Sequence, residues 1–258
     1  MSVISTSALY RRHRFPAEII AHAVWLYFRF TLSYRDIEVL LAARGVQVSY
    51  ETIGQWCRTF GPTFAAEIRR RRPAPRDKWH LDEVRLRING KTCWLWRAVD
   101  QDGMVLDLLV QERRNQEAAE TFLRRLVEGQ PSEPRVVVTD KLASYVPALK
   151  NVLPRTEHRR HKGLNNRAEN SHQPTRQRER GMRRFKSLTQ AQRFLEPFGP
   201  IREHFCPPRE HRAATSFRQE LTDRFTTWRA VTGVAALGSR SSNHRKKIRP
   251  RGGHRAGA

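Results

Sequence analysis

The sequence predicts an α/β protein in which a mixed sheet, three antiparallel strands plus parallel strands flanked by helices, follows an all-α domain. The apolar pattern changes from a helical period to strict alternation near Trp79. Further on, the run "VVVT" at 136–139 is apolar without alternation, which is typical of a parallel strand covered on both faces. These two observations predict the order of the elements described next.

Residues 16–72 have the pattern of three helices. The first begins near Pro16, the second is capped by Ser33, and the third begins at Ser49. Gly45 breaks the chain between the second and third helices, so the pattern favours a helix-turn-helix whose last helix enters a DNA major groove. An ordinary helical bundle is the alternative interpretation.

The third helix presents hydrogen-bonding side chains on the face opposite its apolar one. Among them, Gln55 and Arg58 are the residues that we expect to contact bases. The chain carries 49 Lys and Arg against 25 Asp and Glu, a formal charge of +24, which favours a polyanionic partner over a merely basic surface.

The remaining domain boundaries follow from composition. Residues 1–15 form a basic arm, 73–78 a proline-containing linker and 79–207 the α/β domain. Residues 208–258 are predicted to be a basic, largely disordered tail. No apolar run reaches transmembrane length, so we expect no membrane partner. The three cysteines are far from one another and indicate neither a disulfide framework nor a zinc ribbon, which favours a reducing cytoplasm.

Within the α/β domain, "WHLDEVRLRI" and "KTCWLWRAVD" alternate on either side of Asn89-Gly90, a hairpin turn, and "MVLDLLVQ" adds a third antiparallel strand. A helix covers 115–129, the parallel strand ends at Asp140, and a short helix and a short fifth strand follow. Residues 164–206 are predicted to be helical, and the polar stretch before Met182 is not expected to be a core helix.

Three carboxylates stand out. Asp82 shares a face of its strand with apolar residues, whereas Glu83 is interpreted as a solvated charge on the other face. Asp140 ends a buried strand, where open α/β sheets place their ligands. Glu169 lies in a polar, basic stretch, one helical turn after Asn165 and Asn166. Taken singly, Asp82 or Asp140 has a structural alternative, to cap a turn or pair with an arginine, and Glu169 could simply neutralise a basic neighbour.

Carboxylates on two strands and a helix can converge on two divalent cations ~3.5–4 Å apart, a site for phosphoryl transfer. Magnesium suits such a site because it prefers oxygen ligands and keeps exchangeable waters. A zinc site built from the three histidines between 158 and 172 would lack cysteine partners and would have basic neighbours.

Several motifs resemble the transposases of bacterial insertion-sequence family six. They are "VSYETIGQW", "WHLDE", "LWRAVDQDG", "VVVTDK" and "EHRRHKGLNNRAENSHQPTRQRERGMRRFKS", and the resemblance extends from about residue 15 to about residue 230. The block "NNRAENSHQPTR" is long and specific. The interval between Asp140 and Glu169 is 28 residues, shorter than is usual in that family, although the flanking motifs stay in register.

The resemblance implies a ribonuclease-H-like fold and a DDE enzyme with Asp82, Asp140 and Glu169 as catalytic residues. These residues would ligate two Mg²⁺ ions, with Mn²⁺ as a substitute. The substrates would be double-stranded DNA, namely terminal inverted repeats and a target, joined by a homo-oligomer at least dimeric, in the bacterial cytoplasm at the nucleoid. Further DNA contacts are expected from Lys141, Asn165, Asn166, Arg176 and Arg180.

The resemblance also implies replicative cointegrate formation without a covalent protein intermediate. Two other functional classes remain open from the residues alone. One is a non-catalytic DNA-binding protein derived from a transposase, and the other is a ribonuclease-H-like nuclease that would not join strands.

Overall fold

The computed structural model describes residues 9–161, 172–206 and 213–234. Its sheet has five strands in the order β3-β2-β1-β4-β5, with β1 antiparallel to β2, β2 antiparallel to β3, and β4 parallel to both β1 and β5. This is the ribonuclease-H-like arrangement, and it confirms the predicted mixture of pairings. The strands are β1 Lys78–Ile88, β2 Lys91–Asp100, β3 Val105–Gln111, β4 Val136–Thr139 and β5 Glu157–Arg160.

Eight helices lie within the described part of the chain. Three precede the sheet, two follow β3 and β4, and three come after β5. Their bounds are α1 Ala17–Arg29, α2 Tyr34–Ala42, α3 Tyr50–Arg70, α4 Gln116–Glu128, α5 Tyr145–Val152, α6 Gln173–Gly181, α7 Leu188–His204 and α8 Ala214–Thr232. None of these helices is both long and apolar enough to cross a membrane.

Helices cover both faces of the sheet. One apolar cluster joins Trp79, Leu81 and Trp96 to α4 and α5. A larger cluster joins Val84 and Leu86, on the opposite face of β1, to α7 and to helices α1 to α3 and α8. The N-terminal helices therefore share a hydrophobic core with the sheet, and α3 packs mainly against α7.

The helix starts and the hairpin agree with the sequence analysis. Ser33 accepts a hydrogen bond from the backbone N–H of Asp36, whose carboxylate accepts from the Ser33 N–H, so a capping box begins α2. Ser49 caps α3. The β1–β2 turn places Asn89 and Gly90 at positive φ, which these residues tolerate well.

The expectation of a largely disordered segment from residue 208 is wrong for 213–234. Helix α8 buries Trp228 and Val231, and Trp228 packs edge-on against Phe64 and Phe205. The N-terminal arm is also packed where the structure describes it. The Tyr10 hydroxyl donates a 2.7 Å hydrogen bond to the carbonyl oxygen of Thr232 in α8.

Helix α6 also differs from expectation. Its sequence is polar all round, yet Thr175 and Arg178 are buried. The Arg178 guanidinium lies 4.4 Å from the ring centroid of Tyr27 and 5.7 Å from that of Phe194. Arginine can pack against aromatic faces through its planar cation, so a helix without large apolar residues is anchored between α1 and α7.

Candidate active site

Strand register brings two aspartates to the same place in the sheet. The last parallel pair between β1 and β4 joins His80 to Val138. Two residues beyond that pair stand Asp82, within β1, and Asp140, the first residue after β4, and alternation continued from the pair puts both on its face. Neighbouring strands lie about 4.8 Å apart, so this register places the two carboxylates side by side.

Asp140 follows β4 directly, at the carboxyl end of the strand. Its Oδ1 accepts a 2.8 Å hydrogen bond from the backbone N–H of Leu142. Its side chain is 30% exposed and that of Asp82 is 16% exposed. Both carboxylates are therefore held by the fold and still reachable from solvent, as a site for ligands requires.

His172, the residue that precedes α6, contacts the first aspartate. Its Nε2 lies 3.2 Å from Oδ2 of Asp82, and its side chain is buried. Burial lowers the pKa of His172, and the contact with Asp82 opposes that effect. Arg97, which is buried, is paired with Asp82 across the β1–β2 ladder, so the surroundings of Asp82 are built by three separate segments.

Glu83 is not a solvated charge, contrary to the sequence-based interpretation. Its side chain has no exposed surface, because α4 and α5 cover this face of the sheet. Arg114 donates to Oε1 from Nε at 2.7 Å and from Nη2, and the Tyr145 hydroxyl donates to Oε2 at 2.9 Å. Burial raises the pKa of Glu83 to about 7, while the hydrogen bonds from Arg114 and Tyr145 lower it.

The third predicted carboxylate, Glu169, lies outside the described residues, as do Asn165 and Asn166. Between 9 and 161, 172 and 206, and 213 and 234, no group of three or more His, Cys, Asp or Glu residues is arranged to hold a metal ion. The described part of the site thus consists of Asp82 and Asp140 with their supporting residues.

An arginine-lined cleft runs along α6. Arg176 and Arg180 are exposed, one helical turn apart, and with Arg202 of α7 they border an open cavity of about 540 Å³. Arg176 belongs to the same helix turn as His172, whose carbonyl oxygen accepts the Arg176 N–H at 3.0 Å. The cleft therefore lies along the helix whose N-cap residue, His172, contacts Asp82. Pro174 lies in the first turn of α6, so it does not interrupt the helix.

The remaining predicted contact residues are accessible. Lys141, directly after Asp140, is exposed. Gln55 and Arg58 are exposed on α3, as the sequence pattern predicts. Arg58 also borders a cavity of about 290 Å³ between α3 and α7, together with Tyr34 and Arg193.

Sequence reasoning did not assign functional roles to Glu83, Arg114, Tyr145 or Arg97, and it considered His172 only as a zinc ligand. The signal for Glu83 was its position beside Asp82. The others come from separate segments and could not be grouped without the fold. His172 follows Glu169 by three residues, one helical turn, which is the only local hint of its place at the site.

Comparison with known proteins identifies the family. A sequence profile of the DDE domain family matches residues 76–206, half of the chain. The Staphylococcus aureus transposase for the insertion sequence-like element IS431mec is 34% identical over 144 residues, 56% of this chain and 64% of that protein. The S. aureus transposase for element IS257 in transposon Tn4003 is 33% identical over the same share of both chains. The chain thus spans 64% of the length of these relatives.

Solved structures with a similar arrangement include the catalytic domain of Mos1 mariner transposase, with a TM-score of 0.39 and 14% identity over 67% of this chain and 91% of that one. The HTLV-2 integrase catalytic core domain in complex with magnesium has a TM-score of 0.35 and 16% identity over 50% and 86% of the two chains. From the family match over residues 76–206 and the named relatives, the chain belongs to the DDE transposases of insertion-sequence family six.

Proposed function

We propose that this chain is the transposase of an insertion sequence, which binds the element ends and catalyses metal-dependent DNA cleavage and strand transfer. The observation that carries the proposal is the register of β1 and β4, which puts Asp82 beside Asp140 at the carboxyl end of a buried strand. The membership of the chain in the DDE transposase family gives these two aspartates their proposed role.

The donor set fits divalent cations that prefer oxygen ligands. Asp82 and Asp140 are both partly exposed. Asp82 has a buried histidine at 3.2 Å as its neighbour. Together with Glu169, they are the residues that we propose to hold two Mg²⁺ ions, with Mn²⁺ as a substitute. The chemistry that such ions supply when bound is activation of a nucleophilic oxygen and stabilisation of the leaving oxygen.

Two phosphoryl transfers account for the proposed reaction. In the first, water attacks a phosphodiester at the element end, the bond from phosphorus to the 3′ oxygen breaks, and that oxygen takes a proton. In the second, the released 3′ hydroxyl attacks a target phosphodiester, and the target 3′ oxygen leaves as a hydroxyl. Each step forms one P–O bond and breaks one, without a covalent protein intermediate, and leads to the replicative cointegrate type of product.

The arginine cleft supports the part of the proposal that concerns DNA. Arg176, Arg180 and Arg202 line an open cavity along α6, the helix whose N-cap residue His172 contacts Asp82. Guanidinium groups bind phosphate oxygens in pairs. We assign Arg176 and Arg180 to phosphates that flank the scissile bond, and Lys141 to the same backbone near Asp140.

Recognition of the element ends is proposed for the exposed side of α3. Gln55 and Arg58 lie there with free access to a duplex. Asn165 and Asn166 are proposed as further DNA contacts near Glu169. Because two ends must be held together, the active species is proposed to be a homo-oligomer, at least a dimer, that acts on double-stranded DNA at the bacterial nucleoid.

The test is a strand-transfer assay. A labelled duplex from the terminal inverted repeats and a plasmid target are incubated with Mg²⁺ and the wild-type protein or the variants Asp82→Asn, Asp140→Asn or Glu169→Gln. The wild type is expected to join the duplex to the plasmid, and each variant to bind the duplex without joining it. Asp107→Asn, which alters an arginine-paired carboxylate on β3, serves as the matched control.

Each other outcome has a definite meaning. Joining at a near wild-type rate by a variant removes that residue from the proposed site. Cleavage of the duplex without joining by the wild type would indicate a nuclease. Binding of the duplex with neither reaction would indicate a non-catalytic DNA-binding protein.

A further inference from the structure

Glu83, the buried carboxylate next to the proposed metal ligand Asp82, accepts hydrogen bonds at both of its oxygens. Oε1 of Glu83 accepts from two nitrogens of Arg114, and Oε2 accepts from the Tyr145 hydroxyl. A buried carboxylate is stable only with such partners. Glu83 is therefore not free to bind a cation, although it directly follows Asp82 in β1, and its contacts instead fix the position of Arg114.

Arg114 connects this buried carboxylate to the second aspartate. Its Nη2 lies 3.9 Å from Oδ2 of Asp140, while the same guanidinium donates to Glu83. The guanidinium carbon also lies 4.6 Å from the ring centroid of Trp94. One planar cation is thus held by an aromatic ring and a carboxylate, and the same Nη2 that donates to Glu83 also lies near Asp140.

Asp140 needs such support because β4 ends at Thr139. Its Oδ1 is fixed by the backbone N–H of Leu142, and its Oδ2 faces Arg114. The hydrogen bond from Leu142 holds one oxygen of the carboxylate, and the ion pair with Arg114 attracts the other. Without Arg114, the hydrogen bond alone would remain of these two contacts.

We propose that Glu83 and Arg114 are positioning residues of the site: Arg114 orients Asp140, and Glu83 offsets the positive charge that Arg114 would otherwise present to divalent cations. This inference rests on the proposed function. With Glu83 ionised in its ion pair with Arg114, these four side chains alone (Asp82, Glu83 and Asp140 against Arg114) give three formal negative charges and one positive charge, a balance of −2. Neutralising Glu83 leaves −1, which weakens the attraction for a cation.

The first test replaces Glu83 with glutamine, which has nearly the same size and can still accept from Tyr145. Mn²⁺ binding is measured by electron paramagnetic resonance on the full chain without DNA, and the Mg²⁺ requirement by strand transfer. For Glu83→Gln, we expect the Kd for Mn²⁺ and the half-saturating Mg²⁺ concentration to rise about tenfold, equivalent to about 1.4 kcal/mol. Saturating Mg²⁺ should restore most of the rate, which a general loss of structure would not allow.

Two further variants complete the design. Arg114→Lys keeps the charge, but a single ammonium group cannot contact Glu83 and Asp140 as the guanidinium fork does. It should lower the maximum rate of strand transfer severalfold with little change in Mn²⁺ affinity. Asp107→Asn, which removes the negative charge paired with Arg125 on the edge strand β3, should change neither quantity.

Two results would overturn the inference. One is a folded Glu83→Gln variant with wild-type Mn²⁺ affinity and Mg²⁺ requirement. The other, decisive even where Glu83→Gln does not fold, is an Arg114→Lys variant with the wild-type maximum rate. Failure of the proposed function would give a different result. In that case the Asp82→Asn and Asp140→Asn variants would bind Mn²⁺ as tightly as the wild type.

Discussion

Substitution of Arg178, the buried arginine of α6, is a quantitative test of how this helix packs against the rest of the protein. Arg178 is 2% exposed, and its guanidinium lies over Tyr27 and near Phe194. Replacement by alanine removes this packing and leaves a void between α1, α6 and α7. Because α6 begins four residues after Glu169, a loosened helix should also reduce strand transfer.

The magnitude follows from the interactions that alanine cannot make. Two buried methylenes, Cγ and Cδ, contribute about 1.6 kcal/mol at about 0.8 kcal/mol each, and a desolvated cation–π interaction contributes about 2 kcal/mol. Burial of the guanidinium opposes both, so we expect Arg178→Ala to lower the free energy of unfolding by about 2–4 kcal/mol. At about 2–4 °C per kcal/mol, Tm should fall by roughly 4–16 °C.

Thermal and urea denaturation measure this destabilisation, and two variants control it. Arg178→Met keeps an unbranched apolar side chain without the charge, so it should remain within about 1.5 kcal/mol of the wild type. Arg176→Ala, on the exposed side of the same helix, should change stability by no more than about 0.5 kcal/mol. An Arg178→Ala variant as stable as Arg176→Ala would refute the packing of α6 between α1 and α7.

Three other predictions concern DNA. Gln55→Ala or Arg58→Ala should reduce discrimination between element-end and random duplexes by about 1–3 kcal/mol, and an equal decrease in affinity for both duplexes in fluorescence anisotropy would make these residues phosphate contacts. Arg176→Ala should impair strand transfer more than Arg176→Lys does, whereas the control Arg124→Ala on α4 should leave strand transfer unchanged. Equal impairment by Arg176→Ala and Arg124→Ala would mean that Arg176 acts only through its general positive charge. Deletion of residues 238–258 should leave Tm unchanged and lower the salt dependence of non-specific binding by about 0.9 for each phosphate that the segment neutralises, whereas a large fall in Tm would show that this segment packs.

The strand pattern could be predicted because its causes are local. Alternation around Asn89-Gly90 and the uninterrupted apolar run of β4 correspond directly to the observed pairings. Asp82 and Asp140 could be selected because each is a charged residue at an otherwise apolar position. The sequence could also place the caps Ser33 and Ser49, since capping depends on the next three residues.

The environment of Glu83 could not be predicted, because alternation identifies a solvent face only where one face of a sheet is uncovered. Here α4 and α5 cover the second face, and the partner Arg114 comes from a loop 31 residues away. Arg178 was missed because packing of a guanidinium against aromatic rings has no hydrophobic pattern. Helix α8 was missed because only Trp228, Val231 and Thr232 are buried along its length.

The most direct test of the central claim is the location of Mn²⁺ by anomalous diffraction in crystals of this chain bound to an element-end duplex. We expect an anomalous peak within ligand distance of carboxylate oxygens of both Asp82 and Asp140, with Glu169 completing the site, and no such peak in Asp140→Asn crystals. Mn²⁺ bound elsewhere, or a peak at this position that persists in Asp140→Asn, would contradict the assignment of these carboxylates as the metal ligands of a DDE transposase.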